Sequence, residues 1–185
     1  TNLVNSMSGY YFWMLDDIEL METPAYLMEV TDVVHGGWNS IPVSQGFSMD
    51  YTFKPLIQSN ANPYTFEMIF ANIGANDLTG VQMNIEVYDD INTQVFASNS
   101  TPTTLVAMDT SLFVATQTYA PANMGVYNMR FWGSSDSIAY TDTTYMQAII
   151  TDSVYGRDYG NPSGSWRVGR ICGGLQVGNI FDVYA

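Results

Sequence analysis

Tyr64-Thr-Phe-Glu-Met-Ile-Phe-Ala-Asn72 decides the fold class of this chain. Its side chains alternate, so that Tyr64, Phe66, Met68 and Phe70 fall on one face of an extended backbone; that period of two marks a half-buried strand. The segment Ile73-Gly-Ala-Asn-Asp-Leu-Thr-Gly80 follows, with the Gly, Asn and Asp of a tight connection. Alternation then resumes in Val81-Gln-Met-Asn-Ile-Glu-Val-Tyr88, where Val81, Met83, Ile85 and Val87 share a face. Two adjoining amphipathic strands with a short link predict an antiparallel pair.

The same period recurs outward from this pair. Phe47, Met49, Tyr51 and Phe53 alternate with Ser48, Asp50 and Thr52, and Tyr127, Met129 and Phe131 with Asn128 and Arg130. Further strands are predicted at 26–34, 93–98, 111–116 and 144–151, separated by Asn, Pro, Gly and Ser clusters. No stretch carries the 3.6-residue period for three helical turns. The expectation is an all-β chain folded as an antiparallel β-sandwich, with 46% hydrophobic residues to fill its core.

Charge narrows the partners. Eighteen acidic residues stand against five basic ones, a net charge of −13, which repels a phosphate backbone or an anionic membrane surface. Nucleic acid is therefore not an expected partner. No apolar segment approaches the ~20 residues of a membrane span, so neither is direct membrane insertion. One cysteine, Cys172, excludes an intrachain disulfide framework.

Both ends differ from the middle. Tyr10 to Leu20 is a dense strand-like run before Met-Glu-Thr-Pro24, while the Gly-, Pro- and Ser-rich stretch from Tyr155 to Ser165 reads as a linker. Residues 1–22 are expected to be the closing strand of a preceding β domain, 23–155 the sandwich, and 156–185 the linker and opening strands of a following unit. The strands Tyr10–Leu20 and Ile180–Tyr184 would also offer edges for self-association.

The strand ending in Asn72-Ile-Gly74 and resuming at Leu78, with the downstream Tyr119-Ala-Pro-Ala-Asn-Met-Gly-Val-Tyr127, resembles immunoglobulin-like modules of the cell-adhesion-related bacterial type. The resemblance spans about residues 26–152. It implies an immunoglobulin-like sandwich in which Tyr127 is a corner tyrosine, its ring buried and its hydroxyl on the backbone. The segment Gly36 to Asn62 is longer than the usual first link and is expected to add a strand or form a surface loop. Phe12-Trp-Met-Leu-Asp-Asp-Ile-Glu-Leu20 resembles the closing strand of jelly-roll domains in large secreted proteins of the Bacteroidota. That implies a secreted or cell-surface protein, with neighbouring domains of the same polypeptide as its nearest partners and additional strands from flanking modules.

Candidate sites follow from residue chemistry. Asp16, Asp17, Asp89 and Asp90 are the best ligands for a hard cation such as Ca²⁺, though neither pair has the spacing of a calcium loop and a hairpin turn alone accounts for Asp89 to Asn92. No other cofactor is expected. Ser137, Thr143 and Ser153 each follow an Asp in the pattern of Bacteroidota O-glycosylation. His35 is the lone histidine, which rules out a cluster of histidine ligands, and no serine sits in a nucleophile elbow. Cys172 lies between apolar and glycine residues, as an inert thiol does, and Arg157, Arg167 and Arg170 gather most of the positive charge near the C-terminal side.

Trp13, Trp38, Trp132 and Trp166 offer stacking surfaces for sugars, with packing inside or between domains the plainer expectation for each. The chain is thus expected to be a non-catalytic structural or adhesive module, a spacer or protein-contact domain that meets other surface proteins or glycans. The alternatives are an accessory domain of a secreted hydrolase and a carbohydrate-binding module. Exposed aromatic rings along one groove would favour sugar binding; a smooth polar sandwich with apolar patches at its ends would favour a string of modules.

Overall fold

A computed structural model describes residues 22–35, 51–156 and 183. Nine strands and one short helix follow in chain order: β1 (Met28–His35), β2 (Phe53–Pro55), α1 (Leu56–Ala61), β3 (Phe66–Asn72), β4 (Leu78–Tyr88), β5 (Gln94–Asn99), β6 (Thr103–Leu105), β7 (Thr110–Val114), β8 (Gly125–Ser134) and β9 (Thr144–Thr151). The all-β expectation is met by two mostly antiparallel sheets. The smaller has the order β1-β3-β7 and the larger β2-β9-β8-β4-β5, with β6 paired to β4.

The alternating pattern places the core as the sequence predicts. Phe66, Met68 and Phe70 of β3 face Met83, Ile85 and Val87 of β4 and Tyr127, Met129 and Phe131 of β8, all buried in one cluster. Rings knit the layers together: Phe66 meets Phe131 edge-on at 6.0 Å between centroids, and Phe70 meets Phe113 of β7 at 5.0 Å. Gly133 on β8 lets the sheets close over this region, since a Cβ there would lie 2.8 Å from Met28 Cε and from the Phe70 ring.

The Asn-x-Gly motif organises one end of the sandwich. Asn72 is fully buried; its side-chain oxygen accepts the Gly74 N–H at 3.0 Å, and its amide donates to the carbonyls of Asn76 at 2.9 Å and Leu105 at 3.0 Å. A side chain at position 74 would collide with the Leu27 backbone nitrogen 2.6 Å away, so glycine is required by close approach. Tyr127 does what its resemblance implies: the ring is buried and the hydroxyl donates to the Asn123 carbonyl at 2.9 Å.

The strands expected at 26–34, 93–98, 111–116 and 144–151 are found within two residues of those bounds, whereas of the run expected at 47–53 the described part is strand only at Phe53: Tyr51 and Thr52 are both buried before β2 begins, so the alternation does not hold there. Two details were not anticipated, the strand β6 and the parallel direction of β2, although an added strand was one of the two expectations for the segment Gly36 to Asn62. β6 is three residues long with one buried apolar side chain, Leu105, and so carries no readable period. The additional strand of the larger sheet comes from within the chain: β2, in the long segment before Asn62, runs parallel to β9 with Phe53 opposite Ile149, and α1 follows directly. Lys54 in β2 is buried, its ammonium donating to the Asn62 carbonyl and lying 4.8 Å from the Tyr64 ring centroid and 5.5 Å from that of Tyr51.

The chain enters at the end where Asn72 lies and leaves β9 at the opposite end, because Leu105 joins Asn72 to the start of β4 while Ile150 pairs with Gly125 at the start of β8. The flanking units expected at 1–22 and 156–185 fall, apart from Glu22, Gly156 and Val183, outside the described residues.

Candidate functional site

The larger sheet buries one face and opens the other. On β4 the outward positions are Gln82, Asn84, Glu86 and Tyr88; on β8 they are Asn128, Arg130, Trp132 and Ser134; on β9 they include Tyr145 and Gln147. Pairing sets them in rows across the sheet. Asn99, Asn84 and Trp132 form one row, and Ala97, Glu86, Arg130 and Tyr145 the next. Asn128 and Gln147 stand opposite each other in a third, joined by a 3.0 Å hydrogen bond.

Much of this face is fixed by its own contacts. The Tyr88 hydroxyl donates to Glu86 Oε2 at 2.8 Å, and the Arg130 guanidinium lies 4.2 Å from the centre of the Tyr88 ring. The Glu86 hydrogen bond, followed by burial, raises the Tyr88 pKa, and the charge of Arg130 works against them. Asn84 donates to the Ser134 hydroxyl at 3.0 Å. These bonds hold the carboxylate, guanidinium and amide in place without a ligand.

Trp132 separates two shallow depressions. One, of about 320 Å³, is lined on the β4–β5 side by Asn84, Glu86, Asn99 and Gln117. The other, of about 310 Å³, lies toward the β8–β9 loop and is lined by Glu86, Arg130, Tyr140, Thr143 and Tyr145. Tyr140 is 72% exposed and Tyr145 70%. Trp132 itself is half-buried on the outward face and is not a core residue. The other tryptophans, Trp13, Trp38 and Trp166, lie outside the described residues.

The remaining candidates are dispersed. Asp89 closes the β4–β5 hairpin, its carboxylate accepting the Thr93 N–H at 2.7 Å while Asn92 turns through a φ of 62°. Asp90 is exposed on the same turn. Among the described residues, no three His, Cys, Asp or Glu side chains gather as a metal site would require. Asp16 and Asp17 lie outside the described residues, as do Cys172, Arg157, Arg167 and Arg170. Ser137, Thr143 and Ser153 are all exposed on loops. Among them Thr143 also lines the second depression. His35 is the last residue of β1.

Sequence reasoning named Trp132 but not the residues around it. The signal was present: with Tyr127, Met129 and Phe131 facing in, Trp132 must face out. Likewise Tyr145 is out if Ala148 and Ile150 are in. Large aromatics at outward positions of two paired strands are therefore readable from the alternation alone.

No family model matches the sequence, and no curated protein is similar to it. Solved structures with related arrangements include the C-terminal domain of wzt, at 14% identity and a TM-score of 0.46 over 77% of this chain and 92% of that one. The Bordetella pertussis protein described as ApaA matches at 8% identity and 0.41 over 71% of this chain and all of that one. A family 123 glycoside hydrolase from Clostridium perfringens matches at 6% identity and a TM-score of 0.39 over 51% of this chain; the chain spans only 22% of that enzyme's length. At such TM-scores none of these likenesses bears on what the chain does.

Proposed function

We propose that this chain is a non-catalytic contact module of a secreted or cell-surface protein of the Bacteroidota, and that it works through the open face of its larger sheet. The observation that carries this reading is the cluster of Trp132, Tyr140 and Tyr145 around the bonded group of Glu86, Tyr88 and Arg130. Trp, Tyr and Arg are the side chains that dominate binding energy at interfaces, because they bring large contact area and hydrogen bonding at modest entropic cost. Here Arg130 is already oriented by Tyr88.

Two features support the immunoglobulin-like type. A three-stranded layer β1-β3-β7 faces a layer containing β9-β8-β4-β5, the order obtained when the second and third strands of a Greek key part into opposite sheets. Tyr127 holds the corner before the penultimate strand. Entry and exit at opposite ends suit a module strung in line with others, and the entry end exposes Tyr26, Leu27, Ile73, Val106 and Met108 for a neighbour to cover.

The test is retention of the labelled full chain on intact Bacteroidota cells. Changing Trp132 and Tyr145 together to Ala is expected to lower retention about tenfold or more without unfolding the sandwich. Equal retention of the folded double variant would overturn the reading.

A further inference from the structure

The lining of the two depressions specifies a ligand more narrowly than contact alone. We infer that the depressions on either side of Trp132 are subsites for a neutral saccharide, with Trp132 and the exposed Tyr140 and Tyr145 as stacking platforms and the flanking amides, Glu86 and Arg130 as hydroxyl partners. This rests on the contact reading above and names its ligand class.

Shape comes first. Both depressions are open and sit at the small end of the range for ligand sites. They lie side by side on the open face of the larger sheet and share Trp132 and Glu86, so adjoining rings of one extended chain can occupy them in turn. A globular protein partner would favour a deeper apolar pocket ringed by polar groups, where an anchor side chain is fully desolvated. Here the lining is mainly amide, hydroxyl and aromatic; Ile85, Ala97 and Ala139 are its aliphatic members.

Hydrogen-bonding capacity comes second. A sugar hydroxyl both donates and accepts, and Asn84, Asn99 and Gln117 offer a donor and an acceptor in each planar amide. Glu86 adds an acceptor and Arg130 a donor fork, each already held by Tyr88. These two side chains therefore lose little freedom on binding.

Charge comes third. Glu86 and Arg130 are the charged residues of the lining and stand opposite each other in the β4–β8 register, so the face is neutral on a chain of net charge −13. An anionic polymer gains no local counter-charge and is repelled at long range. An uncharged one is not.

The experiment titrates the full chain calorimetrically with cellohexaose, maltohexaose, xylohexaose and mannohexaose, and with hexagalacturonate as an anionic counterpart. In parallel, cell retention is measured after periodate, which cleaves vicinal diols, and after protease. The expected result is binding of at least one neutral hexasaccharide, weakened about tenfold by Tyr145→Ala and by Tyr140→Ala, with retention abolished by periodate. Both tyrosines are exposed, so these variants keep the fold even if Trp132→Ala does not. Retention lost to protease but resistant to periodate, with no heat from any neutral hexasaccharide, would overturn the saccharide and leave the contact reading standing. Tighter binding of hexagalacturonate would overturn its neutrality. Retention indifferent to Trp132 and Tyr145 would sink the contact reading itself.

Discussion

The two sheets share one core but present opposite kinds of surface. The outward row of the smaller sheet runs Asp32, Ile69, Leu112, with Glu67 and Val114 beside it: aliphatic side chains between scattered carboxylates. Leu112 and Val114 are each 47% exposed, yet no aromatic or amide accompanies them. The larger sheet at the equivalent positions carries Trp132, Tyr145, Asn84, Glu86 and Arg130, of which Asn84 is bonded to Ser134 while Glu86 and Arg130 both meet Tyr88. Leu112 and Val114 are more exposed than Asn84, Glu86, Arg130 and Trp132, so organisation rather than exposure sets the larger sheet's face apart. A binding face is recognised by polar groups fixed relative to one another around rings, and aliphatic exposure on its own is ordinary.

The most severe way to break this contrast is through the shared core. Phe131 is fully buried behind the open face of the larger sheet and stacks edge-on against Phe66 from the other sheet. Phe131→Ala is expected to cost about 3–5 kcal/mol in urea unfolding and to remove both faces together. Survival of either layer alone would mean that the sandwich is not one cooperative unit.

Alkaline titration tests the aromatic cluster beneath the end of the larger sheet. Burial, and then the neighbouring Tyr127, raise the Tyr119 pKa far above the ordinary 10.0. Because the folded state keeps this proton longer than the unfolded state does, its contribution is fully present below pH 10 and is lost progressively as pH rises above it. Tyrosine absorbance and urea midpoints followed from pH 9 to 12, about the ordinary tyrosine pKa of ~10, should show stability falling while a class of tyrosines in the fold is still protonated. A late class that ionises with no loss of stability would contradict the placement of Tyr119.

A smaller effect is expected at the corner. Tyr127→Phe removes the hydroxyl that meets the Asn123 carbonyl, at about 1 kcal/mol, with saccharide affinity unchanged because the residue faces away from Trp132. The smallest stability effects, and the sharpest comparison, come from exposed pairs. Leu112→Ser on the smaller sheet and Tyr145→Ala on the larger should each shift unfolding by no more than about 0.5 kcal/mol. Only Tyr145→Ala should reduce retention and hexasaccharide binding. Equal effects of the two would erase the distinction between the faces.

The legible parts of this fold are the strands with strict alternation. In the central parts of β3, β4 and β8, at 66–70, 81–87 and 127–131, every second residue is large and apolar, so the face that must leave water is marked in the chain itself. β7 was legible as a strand but not in its orientation: Leu-Phe-Val offers three apolar residues in a row, and only contact with Phe70 decides that Phe113 goes in. Lys54 was opaque for a related reason. A lysine between apolar residues reads as outward, yet β2 inserts beside β9 and the rings of Tyr51 and Tyr64 receive its ammonium.

What the sequence determined by itself was the all-β class, the core-facing residues of the central strands and the tight connection after Asn72, because each rests on local spacing or on one residue's backbone requirement, while the buried tyrosine corner came only from the resemblance. Only the tertiary structure decided that Asn84, Glu86, Arg130, Trp132 and Tyr145 share one surface. Their adjacency depends on the order β5-β4-β8-β9 and on strand registers set over separations of tens of residues, which no local pattern encodes.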